Sequence, residues 1–484
     1  MAGDVLHGPD VGPSVVRGTA WRVGAYGVGV LLTAAASILL LRYLGVDDFG
    51  RYATVMAIVA IVGGVSDAGL TIVGTRELAR RAAGPRRIEL LGHLVGMRMV
   101  LTPIGVTLGV GFAALAGYEN ELVIGTALAG AGLVVVNTQA TLMGLLPVEL
   151  RNLRLAVADT VRNLITTVVI ALLVVAGASL VAFFAGQIVV GVLLLAVTPL
   201  IVRREWLSGP RFALGIWRSV LGKALAVAIA YTLGLVYFRL LLIILSLVST
   251  DREVGLFGTS LRIYELLVGI PVLVLGVALP VLSAAATQPE RFRYQLQRVS
   301  EGALLLATFT AAGTGLAAEP IVTLLGGEEY RDAAAVLQIH IAGFVSMFLA
   351  NVCATTLVAI DRQRTLIVLN GIALAFLVLI GAILVPAHDA IGAAVAAAVG
   401  ETFLALISVV ALARRGHRVL PSVTWLARLA LAAALGVGAG VLVPLPELAA
   451  AVLGTLVFVA VAMAVRLAPP ELADALAPRR WTSS

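Results

Sequence analysis

The chain has 484 residues, of which 60% are hydrophobic and 13% charged, with a formal net charge of +7 and a mean hydropathy of +1.05. Soluble globular domains carry about 25% charged and about 45–50% apolar residues, so this composition excludes a soluble enzyme, a nucleic-acid-binding domain and a disordered chain, and it requires lipid as solvent. One cysteine, Cys353, excludes a disulfide framework and any multi-cysteine metal site. The basic residues are scattered rather than gathered on one soluble domain, so the charge does not point to nucleic acid.

A lipid-spanning helix needs about 20 mostly apolar residues. In chain order the apolar runs predict fourteen such helices. Six lie at 23–44, 53–75, 91–117, 122–146, 155–177 and 180–202. Six more lie at 223–249, 261–283, 299–320, 333–358, 366–386 and 391–413, and a last pair at 426–445 and 448–468. The runs are continuous rather than alternating, which argues against a membrane β-barrel. The first twenty residues contain Gly8, Pro9, Gly12 and Pro13 but no apolar core, so no cleavable signal peptide is expected and the first span is the targeting element.

Loop charges predict the orientation. One set of loops carries Arg76, Arg80, Arg81, Arg86 and Arg87, then Arg151 and Arg154, Arg203 to Arg218, Arg291 to Arg298, Arg362 and Arg364, and Arg414 to Arg418. The opposite set is acidic, with Asp47, Asp48, Glu119, Glu121, Asp251, Glu253, Glu328, Glu329, Asp332, Asp389 and Glu447. By the positive-inside rule the first set and both termini are cytoplasmic. Trp21, Trp206, Trp217, Trp425 and Trp481 fall on the same side and read as headgroup-layer residues, and 203–220 reads as an interfacial amphipathic helix.

The loop Asp48-Phe49-Gly50-Arg51-Tyr52-Ala53 recurs 205 residues later as Glu253-Val254-Gly255-Leu256-Phe257-Gly258. Spans one to six and seven to twelve therefore read as two copies of one six-helix unit entering the bilayer in the same direction, a parallel repeat of the kind transporters use, with the substrate path near the midplane. The expected organisation is an N-lobe at 1–202, a cytoplasmic amphipathic linker at 203–222, a C-lobe at 223–413, a peripheral helix pair within 414–468 and a cytoplasmic tail at 469–484.

Ionisable residues inside spans are costly and mark either a cavity or a structural pair. Arg98, Arg162, Arg239 and Arg262 are the candidate substrate-binding cations; guanidinium suits phosphate because its planar fork engages two oxygens. Asp67, Asp159, Glu265 and Glu401 are candidates for ion coupling or for pairing with those arginines. His93 and His340 read as packing residues, and Lys223 and Arg22 as headgroup anchors. No metal site, cofactor motif or G-x-x-x-x-G-K-[ST] phosphate loop is present in the sequence, so no cofactor and no ATP hydrolysis are expected.

Three stretches carry a family resemblance: Leu41 to Tyr52 with Asp67-Ala68-Gly69-Leu70 and Arg76-Glu77-Leu78-Ala79-Arg80; Tyr237-Phe238-Arg239 running to Glu253-Val254-Gly255-Leu256-Phe257 and Leu279-Pro280-Val281-Leu282-Ser283; and Leu324 to Tyr330 leading to Ala335-Val336-Leu337. Over roughly residues 20–415 the chain resembles the polysaccharide transporter (Wzx-type) family of the multidrug/oligosaccharidyl-lipid/polysaccharide exporter superfamily. The resemblance implies a MATE-like fold of fourteen helices and two six-helix lobes around a cationic cavity. It also implies flipping of undecaprenyl-diphosphate-linked oligosaccharide from the cytoplasmic to the outer leaflet of the cytoplasmic membrane, alongside polysaccharide polymerase or glycosyltransferase machinery. One departure stands out: the family often places an Asp two residues after the arginine of span seven, where this chain has Leu241. An ion-coupled drug or metabolite antiporter, of the MATE or major-facilitator type, is the alternative. A membrane glycosyltransferase or polymerase fits less well, because the loops around Asp47-Asp48 and its counterparts are too short to build an enzymatic site.

Overall fold

The computed structural model describes residues 11–67, 69–149, 151–203 and 206–467. Among these the fold is helical, as an apolar chain in lipid requires, because a helix satisfies every backbone N–H and C=O within itself. Eleven helices are long and apolar enough to cross a membrane, and Thr232–Val248 is a shorter apolar one. Two of the eleven are each a pair of helices joined at a kink, α1 (Val11–Asp67) at Gly45 and α14 (Gln363–Ala413) at His388–Asp389. The described residues thus hold fourteen apolar segments, in the order the hydropathy runs predict. The chain divides into two compact units, after Arg239.

In the first unit, Gly45 (φ 72, ψ 175) turns the chain sharply at the first acidic loop, a conformation that costs little only without a Cβ. Gly69 (φ 67) separates α1 from α2 (Leu70–Ala79). There follow α3 (Pro85–Leu115), α4 (Asn120–Leu142), the single turn α5 (Leu145–Val148), α6 (Asn152–Val175) and α7 (Leu180–Ile201). Helices α4 and α7 approach closely because their contact is built on small residues: a Cβ on Gly125 would meet the Phe184 ring at 2.5 Å, and one on Gly132 the Gln187 backbone at 2.5 Å. Near the acidic loops, Val55, Val59, Leu122, Ala129, Leu180 and Phe184 form a core on which Tyr52 stacks, its ring 5.8 Å from that of Phe184. At the opposite end Leu78, Leu90, Leu91, Leu94, Met97 and Leu146 close a second core.

Trp206 belongs to that second core and is only 8% exposed, with the guanidinium groups of Arg151 and Arg203 at 5.6 and 5.8 Å from its ring. It is a protein-packing residue rather than a headgroup-layer one, and so is Trp425, 8% exposed, whose Nε1 donates to the Leu467 carbonyl. Trp217 is half-buried against the second core; Trp481 and the side chains of Trp21 and Arg22 lie outside the described residues. Within the stretch expected as one amphipathic helix from 203, residues 207–213 are irregular, and α8 begins at Leu214 (Leu214–Val248). Its irregular part is strapped to α3: the Arg211 N–H donates to the Gly92 carbonyl at 2.9 Å, and a Cβ on Gly96 would strike the Arg211 carbonyl oxygen at 2.3 Å. A helix there would have consumed the backbone groups that make this contact.

The second unit continues with α9 (Asp251–Ala285), capped by the Thr250 hydroxyl, α10 (Pro289–Leu316), α11 (Ala318–Gly326), a 3₁₀ turn at Glu328–Tyr330, α12 (Ala333–Ala342) and α13 (Phe344–Ala359). The two segments of α14 follow, then α15 (Val423–Leu442) and α16 (Glu447–Ala464). Its core is aromatic: His340 stacks on Tyr264 at 4.3 Å and 2°, with Phe257 and Phe344 on either side. The Ser260 hydroxyl meets His340 Nδ1 at 3.0 Å, so the packing role expected of this histidine is the one it has. Helices α15 and α16 touch through glycine. A Cβ on Gly436 would lie 2.8 Å from the Gly454 carbonyl oxygen, and one on Gly440 3.0 Å from that of Ala450, a Gly-x-x-x-Gly contact of the membrane kind.

Candidate functional site

Some of the membrane-embedded charges are tied to protein partners, and others make no salt bridge or side-chain hydrogen bond among the described residues. Arg98 on α3 is buried. Its Nη2 donates to Asp67 Oδ1 at the end of α1 and to Thr71 Oγ1 (2.6 Å) at the start of α2, and its Nε to Thr141 Oγ1 (3.3 Å) on α4. Thr71 in turn donates to Asp67 at 2.5 Å. The break at Gly69 allows this arrangement, because it sets Asp67 and Thr71 on two helix ends facing one guanidinium. The node joins four helices of the first unit.

Arg162, on α6, is half-buried and Asp159 is exposed; among the described residues neither side chain makes a salt bridge or hydrogen bond. Arg239 lies beside its neighbour Phe238, with the guanidinium carbon 5.7 Å from the ring centre. In the second unit Arg262 and Glu265, one turn apart on α9, approach to 3.4 Å. Glu401, on the second segment of α14, is buried with no hydrogen-bond or ion-pair partner among the described residues. Glu301 is buried too, but Arg298 (2.9 Å) and Gln297 (3.0 Å) satisfy it.

Several partners were not legible in the sequence. Lys223, read there as a headgroup anchor, pairs with Glu77 at 3.3 Å, and Glu77 also receives Arg80 at 3.0 Å. Arg87 pairs with Glu149 at 2.8 Å. His93 meets the Arg211 carbonyl at 3.3 Å, holding the strap on α3. Thr71 and Thr141 complete the Arg98 node; lone hydroxyls in apolar runs carry no sequence signal of their own. Among the described residues no group of three or more His, Cys, Asp or Glu side chains could hold a metal ion.

The fold is shared with solved membrane transporters. The lipid II flippase MurJ, in an inward closed conformation, superposes with a TM-score of 0.77 over 92% of this chain and 98% of that one, at 13% identity. An inward-facing multidrug resistance MATE family transporter of the MOP superfamily gives 0.65 over 82% and 97%, at 15% identity. A MOP superfamily transporter from Pyrococcus furiosus, described as having a binding pocket of reversed polarity, gives 0.53 over 82% and 92%, at 15% identity. No curated protein matches the sequence. The family model for polysaccharide biosynthesis proteins matches residues 15–286, more than half of the sequence, and the chain belongs to that family.

Proposed function

We propose that this multi-pass membrane protein is a flippase that carries oligosaccharide linked to a polyprenyl diphosphate from the cytoplasmic to the outer leaflet of the cytoplasmic membrane by alternating access, with both termini in the cytoplasm. The observation that carries the proposal is that a polysaccharide biosynthesis chain has the membrane fold of a lipid II flippase. Flipping is the step such a fold contributes to polysaccharide assembly, because a sugar headgroup cannot cross hydrocarbon unaided. The product leaflet is where a polymerase or transferase would take it over.

Membrane-embedded cations fit a diphosphate cargo. Arg98, Arg162, Arg239 and Arg262 are the arginines proposed to receive it; the Arg98 guanidinium also serves Asp67, Thr71 and Thr141, and Arg262 also pairs with Glu265. Glu401 and Asp159 are the acids proposed for ion coupling, because neither has a salt-bridge partner among the described residues, whereas Asp67 and Glu265 are paired. In this reading the lobes are those expected from the repeat, 1–202 and 223–413, with the last pair peripheral. The similarity to MATE transporters supports a second reading, an ion-coupled antiporter of small cations, against which the family match weighs.

The deciding experiment is reconstitution of the purified protein in vesicles with lipid-linked oligosaccharide, reading exposure of the sugar on the outer leaflet. Protein-dependent exposure, lost in Arg162→Ala and Arg239→Ala, is the expected result. Transport of a small cation with no lipid-linked cargo moved would overturn the flippase reading in favour of the antiporter.

A further inference from the structure

Helices α15 and α16 rest on α10 near both ends of the pair. Toward their cytoplasmic ends, as the loop charges orient them, Trp425, Leu429, Ala432, Phe458 and Ala462 pack on Leu304. Toward the acidic-loop end Leu316 of α10 reaches the glycine contact, where a Cβ on Gly440 or Gly454 would meet it at 2.8 or 2.5 Å, and beside it α10, α12 and the pair enclose an open cavity of about 760 Å³. The volume is that of a site for one small ligand, within the range of about 300–1,000 Å³.

The lining of this cavity is apolar in effect as well as in composition. Of the polar residues on its walls, Thr308 gives its hydroxyl to the Leu304 carbonyl and Gln338 gives its amide to the Gly315 carbonyl. Glu447, the first residue of α16, stands apart from these two at the acidic-loop end of the cavity. From Leu316 down to Thr308 the cavity follows α10 over eight residue steps, about 12 Å at 1.5 Å per residue. That is close to the depth of one leaflet, half of a hydrocarbon core of about 30 Å.

The one carboxylate that lines the cavity, Glu447, belongs to an acidic cluster. Arg331 is shared among Glu319, Glu328 (3.7 Å) and Glu447 (4.0 Å), so three carboxylates surround one guanidinium. Such a cluster repels an anionic headgroup and favours one that brings a cation.

We propose that this cavity is a binding site for a phospholipid with a phosphoethanolamine headgroup, drawn from the leaflet on the acidic-loop side. One acyl chain fills the groove between α10, α12 and the α15–α16 pair. The primary ammonium, a compact cation with three donors, meets Glu447 and Glu319, and the phosphate meets Arg331. The inference stands independently of the flippase reading, since it uses no cargo and no transport step.

The test uses the full-length protein in mild detergent, stripped of co-purifying lipid. It is titrated with phosphatidylethanolamine, phosphatidylglycerol or undecaprenyl phosphate, and bound lipid is counted by native mass spectrometry. Phosphatidylethanolamine is expected to bind most tightly. Ala312→Phe, which fills the groove, is expected to weaken it by roughly tenfold, the affinity carried by burying about two methylenes. Glu447→Gln is expected to weaken phosphatidylethanolamine by about fivefold, the size of one exposed ion pair, and phosphatidylglycerol not at all. Equal binding of the two phospholipids by wild-type protein would overturn the proposal. So would tighter binding of undecaprenyl phosphate that Ala312→Phe removes, which would assign the groove to the polyprenyl chain instead. Should Ala312→Phe fail to fold, the Glu447→Gln comparison decides alone.

Discussion

The buried guanidinium of Arg98 is bonded to the Asp67 carboxylate across the break between α1 and α2. Truncating one partner of a buried pair strands the other charge in a dry site and costs about 3–5 kcal/mol, whereas removing both is far milder. Arg98→Ala is therefore expected to lower the thermal stability of the detergent-solubilised protein sharply, and the double variant Asp67→Ala/Arg98→Met to recover much of it. Fluorescence-detected unfolding measures both; a double variant as unstable as the sum of the singles would show that the node acts through each residue separately.

Arg162 makes no salt bridge or side-chain hydrogen bond among the described residues and has only the electrostatic influence of Asp159, one turn away, so its removal is expected to change stability little and to reduce flipping. A charge-assisted bond to phosphate is worth enough to change the rate by about tenfold or more. Arg162→Lys keeps the charge but not the fork and is expected to fall between wild type and Arg162→Ala. Initial rates of sugar exposure in vesicles provide the comparison.

Glu401 presents the converse case. A carboxyl buried without a partner is unfavourable, so Glu401→Gln is expected to raise the unfolding temperature. If the residue couples transport to an ion, the same substitution abolishes gradient-driven flipping while the protein grows more stable. Unchanged flipping under an imposed gradient would remove Glu401 from the coupling role.

The glycine contact between α15 and α16 leaves no room for a side chain. Gly454→Leu is expected to push the two helices apart, at a cost of about 1–3 kcal/mol, and to expose the 443–446 connection to added protease. Substitution at Gly438, whose Cβ would meet nothing within 4 Å, is the control and is expected to change neither.

His417 lies in the loop before α15 with its ring edge-on to Phe292 at 5.2 Å. Burial, and then the neighbouring Arg415 cation, hold its pKa below the usual 6.5. The folded state thus takes up its proton later than the unfolded one as pH falls. Its contribution to stability is complete above about pH 6.5 and declines as the pH drops through the folded-state value. His417→Gln is expected to flatten the dependence of unfolding temperature on pH over that window.

The spans were legible because hydrocarbon accepts only continuous apolar runs, and that constraint acts on every residue of a helix at once. The repeat was legible for a similar reason: the Thr54 hydroxyl donates to the Gly50 carbonyl at 3.0 Å, and 205 residues later Thr259 donates to Gly255 at 2.8 Å. The same local geometry had kept the same residue types. Pairing was less legible, because an arginine in a span looks alike whether it meets a ligand or another helix. Arg98 and Arg162 are both set about two turns into their spans, yet one is bonded to three side chains and the other to none among the described residues. Trp206 and Trp425 misled for a related reason: a helix end places an indole near the headgroups, but whether the ring turns outward depends on what the neighbouring helices leave open. The bend at His388–Asp389 contains no glycine at all, since Asp389 itself takes a positive φ of 48° with its carboxylate held by the Ser249 hydroxyl at 2.5 Å.

The bends at Gly45 and at His388–Asp389 leave the helices on either side with almost no connecting chain. A joint without slack fixes two helix ends at one point, so any separation of the two helices grows with distance from it, and in α14 it must first part the Phe376 and Phe403 rings, stacked at 4.0 Å between the two segments. Each unit therefore carries a pivot at its acidic-loop end. Any opening within that pair of helices is scissor-like, widest at the arginine-rich end and nearly zero at the joint.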